Sequence, residues 1–238
     1  MKARRLSQKT HKWLGLLAGL QLVIWTVSGF YMVVVDIDII HGDHLVQPTP
    51  YLSSDSINQF SKKLAELSES NPDAQTIELR SVGGRMAVEV RMPIENHLFD
   101  AISGEPIASI DVKEAKRLAL NYYAGSAQIK KTTLIESEPP REIGGRGLPL
   151  WRVDFDDAWG STFYISPSSG ALATRRHTLW RVFDFLWMLH IMDYDEREDV
   201  NNLLLRLVSL LAFMLVLSGV WYLYFRLNVK AWFAKERS

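Results

Sequence analysis

Hydrophobic residues are concentrated in two stretches near the ends of this 238-residue chain. The first covers residues 13–35 and the second covers residues 207–225, and neither contains a charged side chain. About 20 apolar residues in a helix cross the hydrocarbon core of a bilayer, which is roughly 30 Å thick. The pattern therefore predicts two transmembrane helices with a folded domain between them.

Between these stretches, helical spacing of apolar residues is followed by strand-like runs, and this order occurs twice. The first predicted helix covers residues 55–72, and Asp111 caps the second. Each set ends in a Ser-Gly turn, FDAISG in the first and ISPSSG in the second. The predicted strands are 76–82, 85–92, 97–102, 127–135, 150–155 and 161–165. A repeat of this kind predicts two tandem α-β-β-β units.

Charged residues are segregated along the chain, although the net charge is zero. Basic residues without acidic ones precede the first stretch, basic residues dominate after the second, and the region between them is acidic. Basic segments next to membrane helices favour the cytoplasmic side. We therefore expect cytoplasmic termini and an extracytoplasmic central domain. The same reasoning assigns the basic tails to membrane topology, so no nucleic-acid partner is predicted.

These observations divide the chain into seven segments. Residues 136–149, rich in Pro and Gly, lie between two strands of the second unit and are expected to form a mobile loop. The aromatic segment 175–192 is expected to be an amphipathic helix at the membrane surface. The segments are a cytoplasmic tail (1–12), a transmembrane helix (13–35), an extracytoplasmic two-unit domain (36–174), an interfacial helix (175–192), an acidic turn (193–202), a second transmembrane helix (203–225) and a cytoplasmic tail (226–238).

Histidines are the candidate ligands for a haem or a metal. The chain has no cysteine, which excludes disulfides, thiolate metal sites and covalent c-type haem attachment. His11 is predicted at the cytoplasmic edge, roughly 30 Å from the outer edge, so it cannot share a haem with the outer histidines. A haem at His11 would need a second copy or another subunit. The outer candidates are His41, His44, His177 and His190.

Each histidine also has a simpler interpretation. His190 could pack or hydrogen-bond at the interface, and His11 could lie among lipid headgroups. The segment from His41 to His44 has two imidazoles and a carboxylate, but no further ligand is identifiable, so no metal site is predicted. The chain lacks G-x-S-x-G, H-E-x-x-H and phosphate-binding glycine motifs. We therefore predict no catalytic residues and favour a non-enzymatic protein.

The opening HKWLGLLAGLQLVIWTVSGFY, with its His-x-Trp start and Ser28-Gly29, is similar to the first helix of the PepSY-associated transmembrane helix family. The turns DAISGEPI and YISPSSGAL resemble the ends of PepSY units, and Ser218-Gly219 repeats the pair of the first helix. The resemblance implies a bacterial inner-membrane protein whose extracytoplasmic PepSY region is held by flanking helices. The family includes inhibitory protease pro-segments and larger four-helix proteins linked to haem and ferric-siderophore reduction.

Two functions follow from these observations. The first is a membrane-anchored binding or accessory subunit whose sheet edges, or loop 136–149, engage a membrane or periplasmic protein partner or another copy of the chain. The second is a small haem-binding electron-transfer subunit that carries haem b and serves extracytoplasmic redox chemistry or ferric-siderophore reduction. The candidate haem residues are His11, His190, His177, His41 and His44. In both hypotheses the lipid bilayer surrounds the two spans.

Overall fold

The computed structural model describes residues 2–48, 54–82, 85–93 and 96–227. Residues 83–84, between the first two predicted strands, and all but the first two residues of the predicted C-terminal tail lie outside these ranges. The chain divides into two compact units, a helical unit of Met1–Asp36 with Val182–Ser238 and an α/β unit of Ile37–Arg181.

Six helices and eight strands follow one another along the described chain. The helices are α1 (Lys2–Val34), α2 (Ile37–His41), α3 (Ser54–Ser70), α4 (Val112–Tyr122), α5 (Thr178–Ile191) and α6 (Leu203–Arg226). The strands are β1 (Thr76–Val82), β2 (Arg85–Arg91), β3 (Asn96–Asp100), β4 (Pro106–Ile107), β5 (Ile129–Ile135), β6 (Leu150–Phe155), β7 (Thr162–Ile165) and β8 (Leu172–Arg176).

Helices α1 and α6 pack on each other in the helical unit, and both are long and apolar enough to cross a membrane. Small residues lie in their contact: Ala18 and Ser218 are buried, and a Cβ atom at Gly15 would lie 3.8 Å from Leu215. Small side chains allow membrane helices to approach closely. Most large apolar residues of both helices are exposed, as lipid contact requires. Helix α1 begins at Lys2, so the segment predicted as a tail is helical.

The start of α6 agrees with its sequence signal. The Oδ1 atom of Asn202 accepts a hydrogen bond from the backbone N–H of Leu205 at 2.8 Å, which is the expected N-cap contact. The side-chain amide of Asn202 also donates to the carbonyl of Ile191 at 2.9 Å and thereby joins the start of α6 to the end of α5.

The α/β unit contains two four-stranded antiparallel sheets, β1-β2-β3-β4 and β5-β6-β7-β8, each preceded by a helix. The prediction of three strands per set was wrong by one strand in each sheet, because β4 and β8 were missed. Strand β4 has only two residues, too few for a recognisable alternation. Strand β8 occupies the start of the segment predicted as the interfacial helix, so α5 begins at Thr178.

The core of the α/β unit follows from alternation along the strands, because successive strand residues face opposite sides of a sheet. Ala87 faces the cluster that contains Leu118 of α4, whereas Val88 faces the cluster that contains Leu67 of α3. The α4 cluster also includes Val153 and Phe163 of the second sheet. Helix α4 therefore shares one core with both sheets, and α3 packs against the first sheet.

Loop 136–149 is packed against the second sheet and differs from the mobile loop that its composition predicts. Ile143 has no exposed surface and forms a cluster with Leu150 and Tyr164. The guanidinium of Arg146 donates to the carbonyl of Ile143 at 2.7 Å and to that of Ala173 at 3.0 Å. One buried isoleucine and one arginine therefore hold a segment that is otherwise rich in turn-forming residues.

Candidate functional site: two histidine–serine contacts

His190, in the last turn of α5, contacts the Ser-Gly pair of α1. Its Nδ1 atom lies 2.7 Å from Ser28 Oγ, and a Cβ atom at Gly29 would lie 3.8 Å from its Cε1. The indole N–H of Trp25 donates to the carbonyl of His190 at 2.7 Å. Since the last carbonyls of a helix lack partners within that helix, this hydrogen bond fixes the end of α5 against α1.

His11, on α1, makes the same contact with the Ser-Gly pair of α6. Its Nδ1 atom lies 3.0 Å from Ser218 Oγ, and a Cβ atom at Gly219 would lie 3.2 Å from its Cε1. The ring of Tyr222 stacks beside it, with centroids 6.1 Å apart. In both contacts Nδ1 faces the serine and Cε1 faces the glycine, which gives the two imidazoles the same local surroundings.

Each serine hydroxyl also contacts a carbonyl of its own helix. Ser28 Oγ lies 2.7 Å from the carbonyl oxygen of Ile24, and Ser218 Oγ lies 2.7 Å from that of Leu215. A hydroxyl has a single proton, so a serine that donates it to the carbonyl accepts from the imidazole. In that arrangement each neutral histidine carries its proton on Nδ1 and a lone pair on Nε2. Burial lowers the pKa of His190, which favours this neutral form.

Neither Nε2 atom has a hydrogen-bond partner among the residues that the structure describes. A neutral imidazole nitrogen with a lone pair is a common ligand of haem iron and metals. The other ring N–H of a metal-bound histidine usually donates a hydrogen bond that orients the ring. The Ser-Gly contacts supply this hydrogen bond at both histidines.

The two histidines lie at different levels of the helical unit. His11 is on α1, and His190 contacts α1 at Ser28, which places the two levels about 25 Å apart along the helix. They therefore belong to separate sites. Ser218 lies about 12 Å before the end of α6, so His11 packs beside a long apolar helix rather than in a tail.

The remaining candidates belong to the α/β unit. His177 is almost completely buried, and its Nε2 atom lies 3.1 Å from the carbonyl oxygen of Ile40. The ring of His44 meets it edge-on, with centroids 5.7 Å apart. Burial lowers the pKa of His177. His41 contributes its backbone carbonyl, which accepts from Arg175 Nε at 3.0 Å.

Within the described ranges, no group of three or more His, Asp or Glu side chains is arranged to hold a metal ion. The rings of His44 and His177 meet edge-on in a packing contact. The local segment from His41 to His44 owes its shape to Gly42, which has a φ of 75° and lies against the ring of His177.

A carboxylate network in the α/β unit was not predicted from the sequence. Glu142 accepts hydrogen bonds from Tyr164 Oη at 2.6 Å and from Arg181 Nε at 2.7 Å. Burial alone would raise the pKa of Glu142, but these two hydrogen bonds and the nearby positive charges outweigh it, and the pKa is lowered. The network joins loop 136–149 to the first turn of α5.

The fold and the two contacts define a membrane-anchored α+β protein with a histidine at each of two levels of its helical unit. The chain belongs to the family described as the PepSY-associated TM region, which matches residues 8–238. Neither the curated proteins nor the solved structures contain a match to the chain.

Proposed function

We propose that the protein is a membrane-anchored electron-transfer subunit in which His11 and His190 would hold haem b. The observation that carries the proposal is the contact of each Nδ1 with a serine hydroxyl, which leaves Nε2 without a hydrogen-bond partner among the described residues. The absence of cysteine restricts the group to a non-covalently held haem. Bound haem would supply reversible one-electron chemistry, and the chain would hold and orient its ligands.

The residues suit haem b in ligand type. Neutral imidazole is a common haem ligand, and an Nδ1–H hydrogen bond to serine would orient the ring and leave Nε2 for the iron. The apolar helices around the two histidines would exclude water from the group. His177 fits less well, because its Nε2 atom contacts the carbonyl of Ile40.

The proposed direction of electron transfer is towards the extracytoplasmic side of the membrane. The basic residues at the N-terminal end of α1 support cytoplasmic termini, with the α/β unit outside the inner membrane. The unit is proposed to consist of two tandem PepSY-like units. Their final turns support this, because the same backbone hydrogen bond occurs in both. The N–H of Gly104 donates to the carbonyl of Asp100, and that of Gly170 donates to the carbonyl of Ser166, both at 2.8 Å. An extracytoplasmic electron acceptor, such as a ferric siderophore, would then be the natural partner.

The haem content of the purified full-length protein tests the proposal. Protein from haem-replete cells, extracted in mild detergent, should contain haem b, and His190→Ala and His11→Ala should each remove about half of it. His97→Ala is the matched control, since His97 lies on β3 of the α/β unit. A colourless and folded wild-type protein would overturn the proposal. If His97→Ala lost as much haem, His11 and His190 could not be assigned as the ligands.

A binding role without haem is the second candidate, and the edge strand β5 favours it. Strand β5 lies at the edge of the second sheet and exposes Lys130, Lys131 and Thr133. An exposed edge can pair with a strand of a partner. Because loop 136–149 is packed against the second sheet, strand β5 is the better candidate for the binding surface.

Charge reversal tests that second candidate. Lys130→Glu with Lys131→Glu should abolish recovery of a single partner in a pull-down of the full chain. Lys113→Glu with Lys116→Glu, on the exposed side of α4, is the matched control. Equal recovery with both double variants would exclude β5 as the binding edge.

A further inference from the structure

The helical unit supplies one histidine at each of its two levels. His11 and His190 are the two histidines in the segments that form it, and the other four belong to the α/β unit. Because the levels are about 25 Å apart, the two side chains cannot reach the same iron. A single chain therefore provides each proposed haem with one axial imidazole.

We propose that a second copy of this chain completes both sites, so that His11 pairs with His11 of that copy and His190 with His190. This inference rests on the proposed haem function and names its partner. A second copy offers the same two imidazoles at the same separation. An unrelated subunit would have to reproduce that separation independently.

Symmetry decides which histidines pair. Copies inserted with the same orientation are related by a twofold axis along the membrane normal, and such an axis brings each residue to its counterpart at the same depth. Pairing of His11 with His190 would need copies of opposite orientation. The basic residues at the N-terminal end of α1 oppose that arrangement, because they favour one side of the membrane for the N-terminus of every copy.

The helical unit leaves both histidines partly exposed and leaves apolar surface on α1 and α6 for a second copy. His11 and His190 are only partly buried within the chain, whereas the serines that they contact are buried. Large apolar side chains along α1 and α6 are exposed, including Leu17, Leu20, Leu210 and Phe213. A Cβ atom at Gly19 would meet no other atom within 4 Å, so this side of α1 is not filled by α6.

Light scattering and haem quantification of the detergent-solubilised full chain give the first test. The proposal predicts two chains and two haems per particle, with the low-spin spectrum of iron bound by two imidazoles. A haem-loaded monomer, a high-spin spectrum or two haems per chain would overturn the second-copy proposal and leave the proposed haem function standing. Absence of haem from the wild-type protein would overturn both.

Mixed particles provide the second test, because they separate shared sites from sites within one chain. A copy with His11→Ala and a copy with His190→Ala, carrying different tags, are co-expressed and purified through both tags. Shared sites then retain one histidine each, and the low-spin signal should disappear at both levels. Sites contained within single chains would keep about half of the signal, which would contradict the proposal.

Particles that carry a single kind of substitution are the controls for folding of the mixed particles. Particles with His190→Ala in both copies should keep the His11 site and half of the low-spin signal. Particles that combine a wild-type copy with a His97→Ala copy should keep all of it. Loss of both signals in the His190→Ala particles would contradict two independent shared sites.

Discussion

At the scale of single residues, two serines contact and orient two histidines. A hydroxyl that donates to a carbonyl of its own helix accepts from the imidazole Nδ1–H. The sequence identified His11, His190 and both Ser-Gly pairs, but not their pairing. The contacts join residues 207 and 162 positions apart, and local patterns carry no information on such pairs.

Removal of one serine hydroxyl should weaken ligand binding at its partner histidine. In Ser28→Ala the ring of His190 loses the hydrogen bond that fixes its orientation, so we expect haem affinity at that level to fall about 10–100-fold. Haem titration of the depleted protein measures the change. Thr26→Ala is the control, since Thr26 is exposed and bonds only the carbonyl of Leu22. Equal affinity in wild type and Ser28→Ala would contradict the role of the serine.

Burial of His177 should make stability depend on pH. Its pKa is lowered from 6.5 in the folded protein, so the unfolded chain binds a proton first as the pH falls. The contribution of the neutral ring to the free energy of unfolding is therefore present above about pH 6.5. It is lost as the pH falls below that value, by up to about 1.4 kcal/mol per pH unit.

Unfolding of the full chain in detergent, followed between pH 7.5 and pH 5, measures this contribution. His177→Gln should flatten the dependence in that window. The carboxyl groups Glu142 and Asp157, whose pKa values are lowered, act only at more acidic pH. The same slope in wild type and His177→Gln would show that the buried ring does not titrate there.

At the scale of elements, long periodic segments were predictable from the sequence. Short strands, and segments held by tertiary contacts, were not. Strands β1 and β6 coincide with their predicted ranges, because alternation over six or seven residues is a clear signal. Strand β8 was missed because RRH beside an aromatic run resembles the start of a helix. The packing of loop 136–149 rests on the buried Ile143 and on hydrogen bonds of Glu142 and Arg146, and such a set produces no period.

Truncation of that residue should destabilise the α/β unit. Ile143→Ala leaves a cavity against Leu150 and Tyr164 and should lower the free energy of unfolding by about 2–4 kcal/mol. Leu134→Ala is the control, because Leu134 is 36% exposed and should change the stability by less than about 1 kcal/mol. Denaturant unfolding of the full chain compares them. Equal losses would mean that the loop is not part of the cooperative core.

At the scale of the whole molecule, two spans and an α+β domain followed directly from the sequence, and the family match agrees with them. The histidines at two levels add a feature that neither span reveals alone. The chain would then offer one redox site near each end of its helical unit. The proposed orientation gives that arrangement its direction, from the cytoplasmic side outwards.

Single cysteines test the orientation, since the natural chain has none. Ser168→Cys, on an exposed turn of the α/β unit, should react with a membrane-impermeant maleimide added outside spheroplasts. Lys2→Cys, at the start of α1, should react only after lysis. Labelling in the opposite order would contradict the topology and the proposed extracytoplasmic service.

The most direct measurement of the central claim is the reduced-minus-oxidised absorption spectrum of the purified full-length protein from haem-replete cells. The account predicts the bands of a low-spin haem b in the wild type and none in the double variant His11→Ala, His190→Ala. A flat difference spectrum for the folded wild type, or bands that persist unchanged in the double variant, would contradict it.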